Sequence, residues 1–404
     1  MKTLISLFAL FLSLSLIAQT NPATWYFNDT SGSGIQSPTN TATGIYSTAM
    51  GSNATASGDY GATAMGSDNE ASGNISTAIG QGTTASGNIS TAMGSYTTAS
   101  GDVSTAIGQG TTASGEYSTA MGYLSIASGK NSFAIGYGRT SEGNASTGTP
   151  YYRNEALEER SFVIGGRNKA TAYKSFTLGN DNLAQGIASS SIGENNISTG
   201  DYSMAFGLFS ESIGDKSFAI GANAYADGYN TTAIGTGNTV DDNAIGDQWN
   251  QNNRAFVIGN GFYDESAAQL TRSDAFTVWF NGDATLAGNL SINSDARLKA
   301  NIVSLGATLS KLLQIDGKSY TMKKDESEKQ KIGLLAQDIE KVFPELVSES
   351  HGVKSVNYQG VVPVLINALK EQDAMMKEQQ AEIDKLKTQE ERLERLERLV
   401  AAMD

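Results

Sequence analysis

Apolar positions recur in this chain with a period far longer than that of a single helix or strand. Short runs of alternating small residues, such as Ser76-Thr77-Ala78-Ile79-Gly80, each close on an apolar residue and a glycine. The closing glycines are Gly51, Gly66, Gly80, Gly94, Gly108, Gly122 and Gly136, and after the first step the spacing is fourteen every time. A second, phase-locked set follows at Gly58, Gly73, Gly87, Gly101, Gly115 and Gly129. The register breaks at about residues 140–160 and resumes at Gly165, Gly179, Gly193, Gly207, Gly221 and Gly235, so the break is an insert. Self-similarity of fixed period predicts a solenoid in which each repeat is one coil. The alternating runs predict short strands, with glycine permitting the tight turns between them. The expected core is a thin one of Ala, Ile, Met and Val. A coil that small buries little, which makes three chains side by side attractive.

The pattern changes beyond residue 293. "KIGLLAQDIEKVFPELVSES" predicts a strand or turn and then an amphipathic helix, with Leu334, Leu335, Ile339, Val342 and Phe343 apolar and Pro344 ending it. "VKSVNYQGVVPVLINALKEQ" leads into a long helix. Its seam runs Leu369, Gln372, Met376, Gln379, Ile383, Leu386, Glu390 and Leu393, and after a skip continues through Leu396, Val400 and Met403. That spacing predicts a coiled coil of irregular register over 369–404, with polar seam residues that set register or oligomer number.

Composition sharpens the division. All but a few of the 44 glycines precede residue 292. A formal charge of −14 disfavours nucleic acid and anionic membranes as partners, because both need clustered cations. With no cysteine there is no disulfide framework, lipidated cysteine or thiolate metal site, and the single histidine, His351, supplies neither a zinc site nor a Ser-His-Asp triad. No metal and no cofactor is expected. Asp59, Asp68 and Asp102 read as scattered among repeat positions, which argues against a calcium ladder. Lys2, the apolar run Leu4 to Ile17 and the small Ala18 predict a signal peptide over 1–18 and hence export, to the cell surface or into the medium.

The stretch "GNISTAIGQGTTASGNISTAMGSYTTASG" resembles the head repeats of YadA-type trimeric adhesins, over roughly 42–260. The resemblance implies a mainly β fold, a left-handed parallel β-roll, assembled as a homotrimer. No neck motif is visible, and a polar helix stands where that family has a membrane-inserting β-barrel, so no membrane insertion of the mature chain is expected. Exposed Thr, Ser, Asn and Tyr on the repeats suit an extracellular matrix protein or a glycan as ligand, or a merely solvated scaffold.

Together "SDARLKANI", "GLLAQDIEKVFPELV" and "VNYQGVVPVLINALKEQ" resemble the auto-processing intramolecular chaperone at the end of phage endosialidase tailspikes and other trimeric fibres. The resemblance implies a small α+β domain that trimerises the fibre and then severs itself with the Ser and Lys of a Ser-Asp-x-x-x-Lys motif, here Ser294, Asp295 and Lys299. A serine hydroxyl is a poor nucleophile until a base takes its proton, and a lysine is that base only where burial or nearby cations disfavour its charged form. Lys299 must therefore be desolvated when active, and assembling chains would supply that. Ser294 is the expected nucleophile and Lys299 the base, with cleavage between Asn293 and Ser294. Asp295 is assigned to orient the turn and Gln337 to support the reacting carbonyl. Without the downstream segments, the same residues read as a helix cap and two surface charges.

The expected organisation is a signal peptide (1–18), a lead-in (19–41), head repeats (42–260), a β-rich connector (261–293), the chaperone domain (294–368) and the coiled coil (369–404). The expected activity is one autoproteolytic cut with no external substrate. The alternative is an uncleaved adhesin with a permanent coiled-coil clamp. An external polysaccharide hydrolase lacks paired carboxylates, and its one shelter is Glu155, Glu158 and Glu159 in the insert.

Overall fold

The computed structural model describes residues 26–27, 35–36, 39–138, 153–323 and 329–402. The expected signal peptide, most of the lead-in and Met403 lie outside them. The chain divides between Leu290 and Ser291 into two compact units.

The first unit is a parallel β-solenoid. Each coil contributes a five-residue strand, such as Thr105–Gln109, and a two- or three-residue strand, such as Thr112–Ala113. Long strands stack on long strands in strict register, Ala106 on Ala120 and Gly108 on Gly122. The short strands form a second sheet of thirteen, from Thr41–Ala42 to Tyr225–Ala226. Gly136 pairs directly with Gly165, and Asn154–Ala156 is itself a strand, so residues 154–160 of the expected insert belong to a coil. Glu155 there pairs with Lys169 of the next coil at 3.0 Å.

The core keeps the expected Ala and Val, the latter at Val163 and Val257, but not the expected Ile and Met. Ala78, Ala92 and Ala106 are fully buried with Ser76, Ser90, Thr83 and Thr97, whereas the Ile and Met beside the closing glycines point outward. Met93 is 38% and Phe206 48% exposed. The cause is the period of two: Ala106 faces in, so Thr105 and Ile107 must face out. Only small side chains fit between sheets this close. Phe133, Phe162 and Phe176 stack along the outer face, with centroids 4.7 and 5.5 Å apart.

Successive coils nearly touch along both columns; the first is glycine throughout, while in the second Glu158 and Ala172 replace it in two coils. A Cβ on Gly108 would lie 1.9 Å from the Gly122 carbonyl oxygen, and one on Gly87 would lie 2.0 Å from that of Gly101. A buried asparagine ladder secures one turn: the Asn182 carboxamide donates to the Gly193 carbonyl (2.7 Å) and accepts from the Asn196 N–H (3.0 Å). At the opposite turn, Asp59 accepts from the Ile45 N–H and Asp102 from the Asn88 N–H, each at 2.9 Å, while the Asp59 N–H donates to Asn74. Asp59 and Asp102 thus do share one repeat position, contrary to the expectation, and their role there is to bond backbone. Asp68 sits at the other turn, bonded to Ser67 and Asn53.

The strand Arg254–Asn260 adds a last parallel rung, on which Asp274–Trp279 and then Ala284–Leu286 pair antiparallel. Arg254, buried, bonds Asp227 and the Thr239 carbonyl (2.8 Å). Burial pushes the Asp227 carboxyl above its usual range, against the pull of Arg254.

In the second unit, the helices are α1 (Leu309–Leu312), α2 (Ala336–Val342) and α3 (Tyr358–Ala401). Ile339, Phe343 and Val364 form the core, with Leu334, Val342, Leu346 and Val356 against it. Pro344 ends α2 by opening a 3-10 turn. A two-residue hairpin turn places His351 and Gly352 at positive φ (50° and 75°), and the histidine is exposed. Asn357 caps α3 by accepting from the Gly360 N–H (3.1 Å), and the helix runs unbroken across the expected boundary at residue 369. No helix among the described residues is long and apolar enough to cross a membrane.

Gly108→Ala should destabilise the solenoid by at least about 3 kcal/mol, through carbonyl overlap and a left-handed φ. Gly61→Ala, where a Cβ meets nothing within 4 Å, should cost only about 1 kcal/mol. Thermal unfolding of both variants measures the difference, and equal losses would contradict the close-approach account.

Candidate functional site

The candidate site lies at the first residues of the second unit, where the chain leaves regular structure. Residues 291–295 form no helix or strand and are exposed, and a single 3-10 turn, Ala296–Leu298, follows. Asp295 is the N-cap of that turn. Its Oδ1 accepts from the Arg297 N–H (2.9 Å), and both its oxygens take the Arg297 guanidinium (2.6–3.1 Å). The Arg297 side chain and then its backbone N–H hold the Asp295 carboxyl below its usual value. The cap is therefore made by Asp295 and leaves Ser294 free of that duty.

The turn folds the chain back so that residues five apart meet. Lys299 Nζ donates to Ser294 Oγ at 2.8 Å. Both residues are exposed, as is the Asn293–Ser294 peptide beside them. The large apolar residues that neighbour the pair in sequence are open too: Ile292, Leu298, Ile302 and Val303 all stand in solvent. Gln337 is exposed in the first turn of α2, and no hydrogen bond ties it to Ser294 or Lys299. The arrangement places a serine hydroxyl and a lysine amine in contact, both open to solvent. Among the described residues no group of three or more His, Asp or Glu is placed to hold a metal.

A second feature, with no signal in the periodicity, fixes the segment after the turn. Glu371 on α3 accepts from the backbone N–H groups of Thr308 (2.6 Å) and Leu309 (3.0 Å) and from the Thr308 hydroxyl (3.0 Å). It thereby caps α1 and fastens it to α3. Thr308 and Glu371 are 63 residues apart, so no local pattern shows the pair.

Comparison with known proteins divides the chain at the same place. Residues 294–348 match the family model described as chaperone of endosialidase. The YadA head domain repeat matches seven segments between residues 42 and 238. The chain therefore carries YadA-type head repeats followed by an endosialidase-type chaperone domain. It is 24% identical over 168 residues to the long tail fiber protein Gp37 of Salmonella phage S16, covering 37% of this chain and 22% of that protein. It is 29% identical over 133 residues to the long tail fiber protein Gp37 of Escherichia phage AR1, covering 29% of this chain and 12% of that protein. The chain thus spans less than a quarter of the length of either relative.

The Thr308 and Leu309 amides lower the Glu371 carboxyl below its ordinary value of 4.5. A carboxyl depressed in the folded state stabilises it above the unfolded value and ceases to do so as pH falls through the folded one. Protection of the Thr308 amide in hydrogen exchange should therefore fall as pH drops below about 4.5. Glu371→Gln should show weaker protection with little pH dependence, and equal pH profiles would contradict the assignment.

Proposed function

We propose that this protein is an exported, trimeric β-roll fibre or adhesin whose C-terminal unit drives assembly and then cuts the chain once, between Asn293 and Ser294. The observation that carries the reading is the 2.8 Å contact of Lys299 Nζ with Ser294 Oγ at the start of the chaperone domain.

The chemistry follows from that contact. Neutral Lys299 would take the Ser294 hydroxyl proton as Oγ attacks the Asn293 carbonyl carbon. The Asn293–Ser294 C–N bond breaks, an ester forms on Oγ, and the released Ser294 α-amine takes the proton. Water then hydrolyses the ester, leaving Asn293 as one new terminus and Ser294 as the other. Asp295 serves by fixing the turn. Gln337 stays a candidate for carbonyl support, and would need a second chain or a movement of α2 to serve.

Self-association is supported on both units. The outward Ile, Met and Phe columns of the long strands are a continuous, half-exposed apolar face that a second copy would cover. On α3 the seam residues Met376, Ile383 and Leu386 stand in solvent, as a coiled coil awaiting partners would have them. Copies brought together by α3 would also cover Leu298, Ile302 and Val303 and remove water from Lys299, which makes cleavage follow assembly. Export is supported by the Lys2, Leu4 to Ile17 and Ala18 pattern, and a place outside the cell by the similarity to tail fibres and adhesin heads. The ligand sought on the repeats is an extracellular matrix protein or a glycan.

Mass spectrometry of purified full-length protein should show two fragments meeting at Ser294. Ser294→Ala and Lys299→Met should each assemble and stay intact, the second keeping an aliphatic stem without the base. An uncut wild-type trimer would leave the alternative, a permanent clamp.

Met376→Asp, Ile383→Asp and Leu386→Asp combined place like charges in the seam. The triple variant should be monomeric by light scattering and uncut. Efficient cleavage in the monomer would separate the chemistry from assembly.

A further inference from the structure

We propose that the loop 237–253 carries a binding site for a neutral carbohydrate, with Trp249 as its stacking platform. Gly235 and Gly259 pair in register, yet their numbers differ by 24 where the repeat is fourteen, so this turn holds extra chain that the solenoid does not need.

The loop is tightly built. Asn253, buried, accepts from the Ile245 N–H (3.0 Å) and donates to the Ile245 carbonyl (2.7 Å). Asn250 accepts from the Asn252 N–H at 2.8 Å. The adjoining turn is tied on through the Asn281 N–H to the Gln251 carbonyl (2.9 Å) and the Phe280 N–H to the Asn253 carbonyl (3.1 Å). The Trp249 ring leans on Phe280, centroids 6.4 Å apart and planes 58° to each other. It is nevertheless 58% exposed. An indole held in a fixed pose with its surface in water gives up the burial it is suited to, which is the arrangement of a ligand platform.

The surroundings select the ligand. Gln248, Asn252 and Asn281 are exposed carboxamides, each a donor and an acceptor, which match the paired donor and acceptor character of sugar hydroxyls. The apolar C–H face of a pyranose ring suits an indole. No Lys or Arg occurs between Lys216 and Arg254; Arg254 is buried against Asp227, Arg272 is engaged with the Asn223 and Asn238 carbonyls, and Asp242 and Asp247 are exposed. Uronates, sialates and phosphates would be repelled, so the ligand is uncharged. A protein partner would leave these amides desolvated or require matching polar groups at each. One such site per chain is weak by itself, and the assembly proposed above would raise its avidity. Binding does not depend on self-cleavage.

The test uses the full-length Ser294→Ala protein in native gels cast with one polymer at a time: dextran, galactomannan, hydroxyethylcellulose, or alginate as the anionic control. At least one neutral polymer should retard the protein and alginate should not. Trp249→Ala should weaken the apparent affinity by about tenfold or more, with Trp249→Phe in between. Light scattering on the same samples distinguishes failure to assemble from failure to bind. Should Trp249→Ala misfold by circular dichroism, the exposed pair Gln248→Ala and Asn252→Ala gives the same reading, with loss of retardation expected. The proposal is overturned if no neutral polymer retards the protein, if alginate retards it more, or if the folded variants run as the parent does.

Discussion

The near-contact of one coil with the next governs this molecule. Strands of a parallel sheet lie about 4.8 Å apart, and along two columns the backbone turns so that a carbonyl oxygen points at the α-carbon of the preceding coil. A Cβ there would sit about 2 Å from that oxygen. Glycine is thus obligatory along the Gly108 column for reasons of space and favoured along the Gly87 column, where only Glu158 and Ala172 replace it among the described coils, and the fourteen-residue ruler is the trace of that constraint.

The same closeness decides what fills the interior. With room for Ala, Ser, Thr, Asn and an occasional Val, the larger apolar side chains are placed on the outer face. A fold held mainly by backbone ladders and the Asn168–Asn182–Asn196 stack therefore carries an uncovered apolar surface. A long stack of nearly identical rungs also offers many wrong registers, since shifting by one coil costs few side-chain contacts. A fibre of this kind gains from a separate unit that brings chains together in register, and the C-terminal unit, with its own Ile339–Phe343–Val364 core and a helix whose apolar seam is exposed, has the attributes of one.

The dyad fits that division of labour. Ser294 and Lys299 are already in contact in one chain, but both are solvated. Contact is local chemistry, settled by a five-residue turn that Asp295 caps. In the proposed reaction activation would not be local, because removing water from an ammonium group needs covering surface, and Lys299 is exposed here. Under the cleavage proposed above, separating the two conditions would delay the cut until assembly is complete.

The sequence by itself determined the solenoid, its period, its resumption after the break that begins near residue 140, the amphipathic helix and the long helix of the second unit and the Ser-Asp-x-x-x-Lys motif. Each of these rests on short-range spacing, which sterics convert directly into geometry. Only the tertiary structure decided which members of an alternating run face inward. Alternation is symmetric until the distance between sheets is known, and that distance turned Ile107 outward and Ala106 inward. It also decided the return to register at Asn154, the Glu371 cap across 63 residues and the pose of Trp249 on Phe280. These depend on which distant residues a coil brings together, and no local periodicity encodes that.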